Sequence, residues 1–249
     1  MSRLIDKIVI KQVLGRFRKI YEIALNYLHF SRKMFNFAPK SVKMRQIAQT
    51  ILCILALCAF SQTALAQDVK KAIRAHYAEA KAYVDQVKKM EAEGFTYPVP
   101  QYFSAHVKQN LPATGFHQEE LLMYYQERRD SDEQIYPSLY LDFAVKKYNF
   151  AAREYYEEYL YDEQGRIQFI YAASPILDYE NDYEFRLYFS NGQLVELLVK
   201  RRPQGKGEYT TVYTGKTVPE EYEYSYNGYC STSQTVMRTF NAINEGRQL

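Results

Sequence analysis

The chain of 249 residues sets 32 Lys and Arg against 29 Asp and Glu, a formal charge of +3, but the two signs are unevenly spread. Eleven of the bases and two of the acids precede residue 67, so the remainder carries 21 bases and 27 acids. A body that is net acidic lacks the clustered cations that phosphate contacts need, which excludes nucleic acid as a partner. Cys53 and Cys58 also precede residue 67, leaving Cys230 alone and excluding an internal disulfide scaffold.

The order of features near the N-terminus predicts a cleavable secretory signal over residues 44–66. Lys43, Met44 and Arg45 form a short basic region, and residues 51–60 are an unbroken apolar run. Ala64, Leu65 and Ala66 then give the small-x-small pattern of a cleavage site before Gln67. The run is shorter than the ~20 residues that span a bilayer, so contact with the membrane is transient. A periplasmic or secreted location follows. A conventional signal begins at Met44, so residues 1–43 read as a basic extension upstream of a misassigned start. The alternative is a basic arm that binds a membrane surface or nucleic acid.

Residues 67–249 read as a single α+β domain. Val69, Ile73, Tyr77, Ala80, Val84 and Val87 recur every three or four residues, which predicts a long helix over 68–93 ended by Gly94, with Pro98 and Pro100 beyond it. From about Glu119 the period falls to two. Leu139, Leu141, Phe143 and Val145 alternate with Tyr140, Asp142, Ala144 and Lys146, and similar alternation marks 166–172 and 183–189. Asp162 to Gly165 joins 154–161 to 166–172, and Asn191-Gly192 supplies a tight turn between 183–189 and 193–200. Further strands are expected at 208–213 and 221–226, the first after a loop from Pro203 to Gly207. Short connections leave no room for parallel crossovers, so the sheet should be a curved antiparallel meander. A capping box from Ser231 to Gln234, followed by Val236, Phe240 and Ile243, predicts a short C-terminal helix. Both helices should pack on the sheet.

Candidate chemistry is sparse. His117 and Glu119 form an H-x-E pair without the cysteines that a zinc deaminase adds, and His76 and His106 stand alone, so no metal or other cofactor is expected. Cys230, just before the expected C-terminal helix, could act as a thiol nucleophile with one of the histidines; a small buried cysteine is the plainer reading. The segment from Thr214 to Thr217 resembles the end of a P-loop, but Thr210 stands where that loop needs glycine. Carboxylates are paired in Glu157-Glu158, Glu220-Glu221 and around Asp130, Asp132 and Glu133. Neighbours on a strand point to opposite faces, so Glu157 and Glu158 cannot share a substrate, and pairing with Arg153, Arg186 or Lys200 across strands is expected instead.

Tyrosine is the most distinctive feature: 23 of the 25 lie after residue 66, and tryptophan is absent. Tyr155, Tyr159 and Tyr161 should share one strand face, and Tyr222, Tyr224 and Tyr226 another. Such ladders could grip peptide or glycan without chemistry, or simply roof the core.

The run from Lys147 to Asp162, with Gly165 and the hairpin from Arg186 to Gly192, resembles a group of uncharacterised exported proteins of Gram-negative anaerobes. The resemblance implies an envelope protein of helix-plus-meander architecture and carries no activity. The function expected is a non-enzymatic, envelope-associated binding or accessory module, contacting peptide, glycan or another envelope protein through a Tyr-rich sheet face. The alternatives are an extracytoplasmic hydrolase using Cys230 or a carboxylate pair, and a proteinase or lysozyme inhibitor presenting the loop 201–207.

Overall fold

The computed structural model describes residues 67–94, 102–113, 115–129, 131, 137–173 and 180–246, all within one compact unit, Leu65–Leu249. The signal, the extension before it, Pro98, Pro100, Asp130, Asp132 and Glu133 lie outside the described residues. Eight strands form one antiparallel meander in chain order: β1 (Tyr102–Leu111), β2 (Gly115–Arg128), β3 (Ser138–Phe150), β4 (Arg153–Tyr161), β5 (Ile167–Ala173), β6 (Asn181–Ser190), β7 (Gln193–Pro203) and β8 (Thr210–Gly215). Helix α1 (67–92) packs on one face and helix α2 (Glu220–Gly246) on the other. The fold is α+β, and the sheet stays open.

Two layers of core result. Between α1 and the sheet lie Ile73, Ala80, Val84 and Val87 from the helix, meeting Tyr124, Phe143, Leu160 and Phe169. Each buried valine or isoleucine of this stripe contributes roughly 1.5–3 kcal/mol. Between α2 and the sheet, Tyr229, Val236 and Phe240 meet Tyr125, Leu141, Ile170 and Phe185. The Tyr161 hydroxyl donates to the Ser233 carbonyl at 2.8 Å, tying β4 to α2 through a buried contact.

The expected turns are present. Asp162 Oδ1 accepts the amides of Gln164 and Arg166, and Gly165 takes a φ of 75° that other residues resist. Asn191 and Gly192 both take positive φ and close the β6–β7 hairpin.

Three sequence expectations need correction. The C-terminal helix is not short: α2 runs for 27 residues, and the strand expected at 221–226 is its first part. Tyr and Glu alternate there, but Tyr222, Ser225, Tyr229, Ser233, Val236 and Phe240 are the buried set, at helical spacing. Glu220, Glu221 and Glu223 in the first turn favour the helix dipole, so the Ser231 capping box lies in mid-helix. Secondly, β1 and the first residues of β2 have no clean alternation in sequence, because β1 is a largely exposed edge with few apolar residues to mark a face.

The third correction concerns β3. Tyr124 pairs with Phe143 and Tyr125 with Leu141, so Asp142 is an extra residue in a bulge. Leu141 therefore points to the α2 layer and Phe143 to the α1 layer, rather than sharing a face. The same bulge aims Asp142 at α1, where its Oδ1 lies 2.7 Å from His76 Nε2.

Candidate functional site

The two tyrosine ladders do not make an open surface. Tyr155, Tyr159 and Tyr161 share a face of β4, but that face lies under α2, and the three are 5%, 0% and 1% exposed. Tyr222, Tyr224 and Tyr226 lie on α2, where a spacing of two spreads them around the helix. Tyr222 is buried, Tyr226 half-buried and Tyr224 87% exposed.

The Glu157-Glu158 pair is divided between the two layers. On the α2 side, Glu157 accepts hydrogen bonds from Tyr159 at 2.5 Å and Tyr148 at 3.0 Å. Burial raises its pKa; the Tyr159 hydrogen bond and the positive charge of Lys146 oppose the rise. On the α1 side, Glu158 accepts from the hydroxyls of Tyr77 and Tyr156 and pairs with Lys81 at 2.6 Å. Both carboxylates are buried, which the sequence did not suggest; their opposite facing follows from the strand period.

Glu158 forms the floor of a cleft of about 530 Å³ between α1 and β4–β6. Arg74, Tyr77 and Lys81 line it from the helix, and Tyr156, Tyr171 and Arg186 from the sheet. Their positions follow from element geometry. Residues 74, 77 and 81 recur at three and four along one edge of α1, while 156, 171 and 186 occupy adjoining positions on successive strands. Glu158 pairs with Tyr171, and Tyr171 with Arg186. The Arg186 guanidinium lies 5.8 Å from the Tyr171 ring centre and bonds Glu184 at 2.5 Å. Arg74 donates to Tyr188 Oη at 3.4 Å and sits 5.7 Å from that ring. Burial pushes the Tyr171 hydroxyl up to about 12, and at neutral pH it is a donor, as an ordinary tyrosine is. These residues escaped sequence reading because no motif unites them. The usable signal was three polar or aromatic residues along one edge of an otherwise apolar helix stripe.

A wider depression of about 1060 Å³ lies at the tips of the β1–β2 and β3–β4 hairpins. His106, Lys108, Glu120, Lys147 and Glu154 give it both signs of charge. His117 also lies at this end, with Nδ1 bonded to the Asn149 carbonyl at 2.6 Å. Ion pairs of Lys146 with Glu119 and Lys147 with Glu120 cross β2 and β3. The smaller cleft, by contrast, is roofed by α1 and floored by a buried acid.

The other candidates are dispersed. Cys230 lies inside α2, half-buried beside Tyr226, and burial raises its thiol pKa, opposite to an activated nucleophile. His76 is held between Asp142 and Gln168, the latter at 2.8 Å. Gly215 ends the edge strand β8 and α2 begins only at Glu220, so Lys216 and Thr217 do not open a helix that could cradle phosphate. The turn after β7 is anchored by the Gly205 amide on Asp182 at 2.9 Å. Among the described residues no group of three or more His, Cys, Asp and Glu is placed to hold a metal ion, and no helix is long and apolar enough to cross a membrane. No protein-family model, curated protein or solved structure matches the chain.

Proposed function

We propose that the protein is an exported, non-enzymatic binding module of the cell envelope whose ligand enters the cleft between α1 and β4–β6. The sequence suggested a tyrosine-rich sheet face as the gripping surface; the reading is retained with the surface moved to the α1 side. One observation carries it: a concave site of about 530 Å³, within the range of small-ligand pockets, walled by Tyr77, Tyr156, Tyr171 and Tyr188. Tyrosine grips well at low entropic cost, because two torsions fix a large amphipathic ring. The ionisable groups of the cleft support binding rather than catalysis. Glu158 is committed to Lys81 and two hydroxyls, so the acid of the cleft is fixed in a structural cluster, while Arg186 meets one Glu184 oxygen through Nε and one terminal nitrogen.

The test is a ligand titration by NMR on protein exported from its full-length precursor, using short peptides and envelope glycans. Shifts should concentrate on Tyr171, Arg74 and Arg186, and Tyr171→Ala should weaken binding about tenfold while the protein stays folded. Shifts confined to the hairpin tips around His106 and Lys147, with Tyr171→Ala silent, would refute the assignment.

A further inference from the structure

The donors and acceptors in this cleft are unequal, and the imbalance selects a ligand. Arg74 directs one of its five N–H groups at Tyr188 Oη, and among the described residues no carboxylate lies within ion-pair distance of it. Arg186 spends its Nε and one terminal nitrogen on the same oxygen of Glu184. Among the described residues Lys81 has one hydrogen bond, to Glu158. Tyr171 adds a hydroxyl donor to the lining.

Acceptors are scarce by comparison. Glu158, the acid of the cleft, is 2% exposed; one of its oxygens already takes Lys81 and Tyr156, and the other takes Tyr77. A neutral sugar needs acceptors for its hydroxyls as well as donors, and would leave its own donors unmatched here. An acceptor-only oxyanion matches the rim, because an arginine fork meets a carboxylate with two parallel N–H bonds. Below the rim, Ile73, Phe169 and the Tyr156 ring form an apolar wall that suits a hydrocarbon body next to the charge.

Resting on the binding reading given above, we propose that the cleft captures the C-terminal carboxylate of a peptide, with the carboxylate on Arg74 and Arg186 and an apolar last side chain against Phe169 and Tyr156. Arg74 is exposed at the rim, so the preceding peptide residues can continue outward into solvent. Recognition of a free chain end suits a module that meets newly cut peptides, since each hydrolysed peptide bond produces one such carboxylate.

The experiment titrates the exported protein with N-acetyl-Ala-Ala-Phe, its C-terminal amide and 3-phenylpropionate, each against wild type and Arg74→Gln. The free acid should bind at least about tenfold tighter than the amide, and Arg74→Gln should erase that difference, one charge-assisted hydrogen bond being of this size. Arg74 is exposed, with one side-chain hydrogen bond among the described residues, so its replacement leaves the fold intact; an unchanged melting temperature verifies this. Equal binding of acid and amide at the cleft overturns the carboxylate inference and leaves the binding reading standing. Tight binding of 3-phenylpropionate equal to that of the peptide overturns the chain-end part in favour of a small organic acid. If none of the three shifts a cleft resonance, the peptide inference fails; if envelope glycans are silent there too, the binding reading fails with it.

Discussion

Glu157 and Glu158 are consecutive on β4, point to opposite faces of the sheet, and are each buried beneath a different helix on two tyrosine hydroxyls. Glu158 has a lysine within ion-pair distance, whereas Glu157 takes its direct contacts from hydroxyls. The two carboxylates therefore answer differently to the same substitution.

For Glu158, removing the carboxylate strands partners that were buried to meet it. Glu158→Ala should cost about 3–5 kcal/mol, because Lys81, Tyr77 and Tyr156 lose their common acceptor. Pairing Glu158→Gln with Lys81→Met should cost less than Glu158→Ala alone. Urea denaturation of the variants measures both.

For Glu157, burial raises the folded-state pKa above the unfolded one. A raised carboxyl binds more protons folded than unfolded, so its contribution to stability is greatest below the unfolded pKa and is lost as pH climbs through the folded value. Glu157→Gln removes the charge and keeps one acceptor oxygen, so one of the Tyr148 and Tyr159 hydroxyls turns to accept from the new amide N–H. At neutral pH it should match or exceed wild type, and its advantage should vanish on acidification to about pH 4, near the ordinary carboxyl value. Thermal melts between these limits check the sign.

His76 titrates in the other direction. The Asp142 hydrogen bond raises its pKa most, Gln168 adds to the rise, and burial opposes it. The stability that protonated His76 gives to α1 is complete below the unfolded histidine pKa and disappears as pH rises through the raised folded value. His76→Gln should cost about 1 kcal/mol at pH 6 and progressively less above neutrality. A difference that grows with pH would contradict the Asp142 contact.

The long C-terminal helix makes its own prediction. Phe240 is 1% exposed and packs on Phe103 and Tyr125, so Phe240→Ala should cost about 3–5 kcal/mol. Tyr224 projects into solvent, and Tyr224→Ala should change stability by no more than about 0.5 kcal/mol. Were 221–226 a strand with its tyrosines on one face, Tyr222→Ala and Tyr224→Ala would have similar effects.

Export is tested at the chain terminus. Mass spectrometry of the protein recovered from outside the cytoplasm should find Gln67 as the first residue. Recovery of peptides from residues 44–66 in that fraction would show the signal uncleaved.

Sequence patterning determined what depends on local repetition. The apolar stripe of α1, the Asp162–Gly165 and Asn191-Gly192 turns and the strands from β4 to β7 were legible because a fixed side-chain period or a positive φ leaves a mark within a few residues. The opposite facing of Glu157 and Glu158 was legible for the same reason. The first part of α2 was not, since Tyr-Glu alternation satisfies a strand period while the buried set follows the helix, and packing on β2, β3 and β5 decides between them. Nor was the bulge at Asp142, which one residue of register inserts and which sends Leu141 and Phe143 to different cores. The cleft is wholly tertiary. Arg74 lies about a hundred residues before Tyr171 and Arg186 in the chain and meets them because α1 crosses the sheet at the level of Glu158. A period can fix which side of an element a residue takes; only the docking of one element on another fixes what that side faces.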